Sequence, residues 1–215
     1  IIDCTGVNKK SSKIQKYFDK GVKKLCRPNQ YFGITAAQEN IRTKQGGIIW
    51  HTQGSGKSIM MVMLAKWILE NNAIARVIIL TDRTELDKQI ERVFNDAEEP
   101  IKRTGSGKEL LQQLTQPLPR LLCSLVHKFG KKSEDNFEDF IKELEENPVQ
   151  TKGELYVFVD ECHRTQSGRL HRTMKAMLPN AVFIGYSGTP LLKKDKKTSK
   201  TSCLGVIWSF GRYRY

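Results

Sequence analysis

Two stretches of this chain carry the tetrapeptide GSGK, HTQGSGKSIMM at 51–61 and KRTGSGKELLQ at 102–112, and a third, FVDECH at 158–163, sets two carboxylates side by side. A glycine-rich turn ending in lysine lets backbone N–H groups converge on a phosphate, provided a strand delivers the chain and a helix begins at the lysine. The residue after the lysine must then be Ser or Thr, whose hydroxyl can ligate Mg²⁺. The first copy meets these demands. GGIIW at 46–50 is a short apolar strand, Gly54 and Gly56 turn the chain, and Lys57 and Ser58 open an apolar helix. The second copy fails them. EEPIKRT ahead of it does not read as a strand, and Glu109 puts a phosphate-repelling carboxylate where the hydroxyl should be. TGSGKELLQQL reads instead as a helix start with Ser106 as its cap. One departure marks the first copy: the pattern G-x-x-x-x-G-K-[ST] places glycine where this chain has His51.

FVDECH ends a strongly apolar stretch, and in a parallel sheet ligands gather at the carboxyl edge of the strands. Asp160 at such an end can hold Mg²⁺ through water, and Glu161 can orient and deprotonate an attacking water. The competing reading is an acidic pair capping a helix that follows at 163–165. Cys162 and His163 are neighbours in sequence and do not make a convincing metal pair.

The elements that must position these residues are legible as alternating periods. Apolar runs at 46–50, 76–80, 120–126, 155–159 and 181–186 read as strands. Between them, 57–71 reads as a buried helix and 84–95 as an amphipathic one started by Thr84 and Asp87. Phe137, Phe140, Ile141 and Leu144 mark another helix, and Leu170, Met174, Met177 and Leu178 a further one. Strands apolar throughout and alternating with helices predict an α/β fold, a mostly parallel sheet with helices on both faces.

Of the net charge of +13, residues 1–30 and residues 191–215 carry +6 each, and the 160 residues between them only +1. Basic ends can bind phosphate backbones or remain solvated. Residues 1–30 are polar and poorly periodic and read as a connector from a preceding region. Residues 31–192 read as the α/β domain, and 193–215 as a basic and aromatic tail with no evident sheet context. The five cysteines are scattered without a CxxC pair, which argues against a disulfide framework or zinc site and suits a reducing, cytoplasmic setting. No apolar run approaches the roughly 18 residues of a membrane span.

HTQGSGKS, TDRTELDKQ, DECH and SGTP, in that order, resemble the first motor domain, a P-loop NTPase RecA-like domain, of superfamily 2 helicases and translocases. The wording WHTQGSGKS, LTDRTELDKQI, VDECHRTQ and YSGTPLL resembles in particular the restriction (R) subunit of type I restriction–modification enzymes, from about Tyr31 to Asp195. The resemblance implies ATP and Mg²⁺ as cofactors, double-stranded DNA as partner, and modification and specificity subunits in the same complex. It implies that Gln38 reads adenine and that Thr52, Gly54, Ser55, Gly56, Lys57 and Ser58 hold the phosphates, with Ser58 and Asp160 on Mg²⁺. Lys57, Asp160 and Glu161 would be the catalytic set. Thr81, Asp82 and Arg83 stand where such motors touch the DNA backbone, Arg83 being the preferred contact. His163, Ser187 and Thr189 match positions that couple hydrolysis to movement.

Family R subunits are much longer, with a nuclease domain before the motor and a second motor domain after it. The chain alone is therefore expected to bind Mg·ATP, to hydrolyse it slowly without the arginine finger of the second motor domain, and to cut nothing. Three readings compete: another superfamily 2 DNA helicase or translocase, a P-loop small-molecule kinase, and a basic DNA-binding module with a degenerate nucleotide site. The TDRTELDKQ and SGTP matches speak against the kinase, and intact Lys57, Ser58, Asp160 and Glu161 against degeneration.

Overall fold

A computed structural model describes residues 16–19, 22–81, 84–96, 100–105, 107–125, 150–160, 162, 169–188 and 206–209. The helix expected around Phe137–Leu144 lies outside these residues, as do Asp82, Arg83, Ser106, Glu161, His163 and Thr189.

Strands β1 (Lys16–Asp19) and β2 (Val22–Leu25) pair antiparallel as a separate two-stranded ribbon. Helix α1 (Pro28–Arg42) follows, with Pro28 in its first turn, where a missing N–H costs nothing. It begins three residues ahead of the expected domain start at Tyr31. Then come β3 (Gly47–Trp50), α2 (Lys57–Asn71), β4 (Ala75–Thr81) and α3 (Thr84–Asp96). They are followed by β5 (Lys102–Arg103), α4 (Gly107–Leu114), β6 (Leu121–Leu125) and β7 (Glu154–Val159). The described chain closes with α5 (Arg169–Met177), β8 (Val182–Ser187) and β9 (Val206–Ser209).

Seven of these strands form one sheet in the order β5-β6-β4-β7-β8-β3-β9, every pair parallel. All seven residues of β4 and all six of β8 are buried, as strands covered on both faces must be. One apolar layer joins Ile34 and Ile41 of α1, Met60 and Leu64 of α2, and Ile90 and Phe94 of α3 to Ile49, Val77, Phe158 and Ile184. The opposite layer joins Leu110 and Leu114 of α4 and Met174 and Met177 of α5 to Ile48, Ile78, Val157 and Phe183. Helices thus cover both faces. Among the described residues no helix is long and apolar enough to cross a membrane.

Two expectations change. EEPIKRT does contain a strand: Lys102 and Arg103 pair with Leu122 and Cys123. At two residues it is too short to show an apolar period, and the neighbouring backbone holds it at the sheet edge. The tail also has a sheet context, because Val206–Ser209 runs parallel to β3 at the other edge, across a register shift between Ile48 and Ile49.

Two arginines buttress the far ends of the helices. Arg76, 1% exposed, donates to the carbonyls of Leu114 (2.9 Å), Gln113 (3.0 Å) and Pro119 (3.0 Å). Arg120 donates to Leu69 (2.9 Å) near the end of α2 and to Ala75 (2.9 Å). A cation among carbonyls at a helix C-terminus is where the helix dipole favours it, and the hydrogen bonds offset the cost of burial.

Candidate nucleotide site

Because the sheet is parallel, β3, β4, β7 and β8 all end on one edge, and the segments carrying candidate chemistry emerge there. The first GSGK leaves β3 at Trp50. The buried His51 N–H donates to the Ser187 carbonyl at 2.9 Å, so the loop is tied at its root to the end of β8. Gly54 has φ of 77° and Gly56 φ of 83°, left-handed values that glycine adopts at little cost. Gly56 is the residue on which α2 starts, and its carbonyl takes the Ile59 and Met60 N–H groups at 3.1 and 3.2 Å. No acidic residue stands in the first turn of α2, so the partial positive charge of the helix end is not cancelled locally.

A side chain that sequence reasoning passed over shapes this loop. Gln30 is 2% exposed; its amide donates to the Ser55 carbonyl at 3.0 Å and reaches the Gly56 carbonyl at 3.4 Å. Its own carbonyl accepts the Arg27 N–H at 2.8 Å. A Cβ on Gly56 would stand 2.3 Å from the Gln30 amide nitrogen, so Gly56 is required both for its φ and for this close approach. Gln38, expected at the nucleotide, lies two turns further along α1, about 12 Å by helical rise. It is buried, and its amide nitrogen has no hydrogen-bond partner among the described residues. The structure thus sets Gln30 rather than Gln38 against the loop. RPNQ held a readable signal, with Pro28 opening a helix and a glutamine at its third position.

Asn29 on the same turn approaches His51 Nδ1 at 3.3 Å. Burial first, and the Lys57 charge second, push the His51 imidazole down to about 4, so it is neutral at pH 7. A neutral ring accepting from Asn29 at Nδ1 keeps its proton on Nε2.

The other strand ends close around Lys57. A Cβ on Gly188, just after β8, would lie 3.4 Å from Lys57 Nζ and 3.7 Å from the Gln53 N–H nitrogen, which places the Ser187–Gly188 turn against the loop. Asp160, 6% exposed, follows β7, and its N–H donates to the Leu80 carbonyl at 2.9 Å. Strand β8 separates β7 from β3, so Asp160 and the loop face one another across one intervening strand. Cys162 folds back over that strand: a Cβ on Gly185 would meet its sulfur at 2.8 Å and Ile48 Cγ1 at 3.3 Å. Gly185 thereby leaves room for Cys162 against β8, beside Ile48 of β3. Next to it, Tyr186 is fully buried, its ring 5.7 Å from that of Phe158, and its hydroxyl has no hydrogen-bond partner among the described residues. Burial, and then Asp160, hold this phenol well above its usual pKa.

Thr81, expected at the DNA backbone, is the last residue of β4, paired with Leu125 of β6 and fully buried. Ser187 is equally buried, its carbonyl engaged by His51. The second GSGK sits at the same sheet edge, between β5 and α4, but Glu109 Oε2 accepts the Gly105 N–H at 2.5 Å. A groove of about 760 Å³ opens on the opposite edge, lined by Lys44, Glu154 and Tyr156, and touches none of these residues.

The donor set fits a nucleotide with its metal: convergent loop N–H groups, the Lys57 amine, the Ser58 hydroxyl and the buried Asp160 carboxylate. The buried Ser55 hydroxyl has no partner in the loop itself, again among the described residues.

Similar proteins bear on the family and the fold. The chain is 31% identical over 220 residues to the HindI type I restriction enzyme endonuclease subunit of Haemophilus influenzae, covering 90% of this chain and 19% of that protein. It is 32% identical over 188 residues to the SauCOLORF180P type I restriction enzyme endonuclease subunit of Staphylococcus aureus, covering 86% and 19%. The chain therefore spans under a fifth of these relatives. Its fold is shared with the SWI2/SNF2 ATPase core of Sulfolobus solfataricus solved in complex with double-stranded DNA (TM-score 0.60, 13% identity, 85% of this chain and 35% of that one). It is shared also with the type ISP restriction–modification enzyme LlaBIII bound to DNA (TM-score 0.59, 15% identity, 87% and 15%). The UvsW helicase of bacteriophage T4 is a further neighbour (TM-score 0.61, 17% identity, 93% and 64%). The α/β parallel sheet expected from the strand–helix alternation, and the RecA-like domain that the resemblance implies, are the fold observed. Residues 29–207 match the profile of the SWI2/SNF2 ATPases, which implies nucleotide use, and the chain belongs to that family.

Proposed function

We propose that this chain is the ATP-binding motor domain of a type I restriction enzyme R subunit, coupling ATP hydrolysis to translocation of double-stranded DNA before cleavage. The observation that carries the reading is the meeting, on one sheet edge, of a positive-φ glycine loop opening α2 and the buried Asp160 that ends β7. Loop N–H groups from Gly54 to Ser58 and the Lys57 amine orient the β- and γ-phosphates. The Ser58 hydroxyl and Asp160 hold Mg²⁺, which when bound neutralises phosphate charge and leaves the terminal phosphorus open to attack. Glu161 takes the proton of the attacking water. Thr52 completes the loop and Gln30 holds its shape. Arg83 contacts the DNA backbone, and His163, Ser187 and Thr189 relay the nucleotide state to it. The partners are DNA and the modification and specificity subunits, in the cytoplasm. These 215 residues on their own turn ATP over slowly, because an arginine finger of the kind a second motor domain supplies is worth on the order of 10³-fold or more in rate.

Thermal melts with and without Mg·ATP test this on wild type, Lys57→Ala and Lys108→Ala. Ligand at 100 times its Kd stabilises the native state by about 2.7 kcal/mol. Wild type and Lys108→Ala are expected to shift and Lys57→Ala not to. A shift lost with Lys108 instead, or absent throughout, counts against the reading.

A further inference from the structure

Among the buried hydroxyls at the candidate site that have no hydrogen-bond partner among the described residues, that of Tyr186 belongs to the residue next in register to Asp160. Tyr186 is 0% exposed and its oxygen has no hydrogen-bond partner among the described residues. Packing alone would favour phenylalanine there, because a buried hydroxyl without a partner is disfavoured. Its position explains what the oxygen is for. In the register of β7 and β8, Phe158 lies opposite Ile184 and Val159 opposite Gly185, so the next residues along the two chains are Asp160 and Tyr186. Side chains two apart on a strand share a face. Phe158, Ile184 and Tyr186 all belong to the layer covered by α2, which places Asp160 on that same side. The first turn of α2 carries Ser58.

We propose that Tyr186 is a positioning residue for Asp160, its hydroxyl donating to a water that in turn donates to the carboxylate, so that Asp160 presents a fixed oxygen to a divalent cation. A carboxylate is acceptor-only, so the water donates to it and accepts from the phenol. The donation runs through a water because the phenol has no direct partner among the described residues. Tyr186 touches neither nucleotide nor metal, and the inference rests on the nucleotide-site reading above.

The test is Tyr186→Phe, which removes one oxygen and leaves the packing intact. ATP is titrated calorimetrically into the 215-residue chain at a series of Mg²⁺ concentrations and in EDTA. The Mg²⁺ concentration giving half-maximal ATP binding is expected to rise about tenfold, the scale of one hydrogen bond. Affinity in EDTA should be unchanged, and the melting temperature of the free chain should not fall. An unchanged Mg²⁺ midpoint overturns the proposal, as does an equal loss with and without Mg²⁺, which would mean a packing role. If wild type itself binds no ATP at any Mg²⁺ concentration, the nucleotide reading falls and takes this one with it.

Discussion

The same four residues, Gly-Ser-Gly-Lys, occur twice in this molecule in different surroundings. Both copies follow a parallel strand, both sit on the same sheet edge, and a helix begins at each. In the first, Gly54 and Gly56 take positive φ, and a buried glutamine from another helix holds the carbonyls of Ser55 and Gly56. In the second, Gly105 does not take positive φ, and Glu109 from the following helix occupies its N–H. The residue one place after each lysine therefore separates the two copies more than the tetrapeptide does: Ser58 leaves the helix end without a local carboxylate, whereas Glu109 fills it with one.

The comparison can be broken most directly by exchanging those residues. Ser58→Glu puts the second copy's carboxylate into the first, and is expected to weaken Mg·ATP binding more than a thousandfold, about 4 kcal/mol, read by calorimetry. Retained binding would show that the two loops differ for some other reason.

The next effect is a pH dependence confined to the first loop. His51 is held at about 4 against 6.5 when unfolded. The unfolded chain binds a proton there that the folded chain refuses, so the residue has no pH-dependent effect above about pH 6.5 and its full destabilising effect is present below about pH 4. As pH falls from about 6.5 to 4 the stability drops, by up to about 3 kcal/mol. His51→Gln should flatten that part of the urea-midpoint profile. The residue at the corresponding place in the second copy, Lys102, is exposed, and Lys102→Gln should leave the profile as it is.

Glycine substitutions sharpen the contrast. Gly56→Ala forces a Cβ into a left-handed φ and 2.3 Å from the Gln30 amide, and should cost about 2 kcal/mol of stability as well as nucleotide affinity. Gly105→Ala meets the end of the Glu109 side chain at 3.0 Å, which can move, and should cost much less. The smallest change is expected from Glu109→Ala, which removes one hydrogen bond to an exposed N–H, about 1 kcal/mol, without creating an ATP site. Gain of Mg·ATP binding by that variant would show that the carboxylate alone had closed the second loop.

Much of this was readable in residue order. Helix α2 spans Lys57–Asn71, as its apolar content foretold, and β7 and β8 each fall within one residue of the apolar runs at 155–159 and 181–186. Their all-apolar character could only mean a sheet covered on both faces. The choice between the two GSGK copies also follows from local chemistry, because a hydroxyl and a carboxylate after lysine act on the same helix end. The two-residue strand β5 escaped notice because it has no period to detect, and β9 because its partner lies some 155 residues earlier in the chain.

The side-chain partnerships belong to tertiary structure. Of two glutamines on one helix, Gln30 reaches the loop and Gln38 does not, and only the packing of α1 decides which. Thr81 ends a strand like Asp160 does, yet is fully buried beside Leu125 of β6. Cys162 and Gly185 fit together although nothing in either segment names the other. Periodicity, turn sterics and the chemistry of adjacent residues are local and survive in a list of letters. Which distant groups come within 3 Å depends on where the sheet order puts each strand end, and that order arises only when the whole core packs.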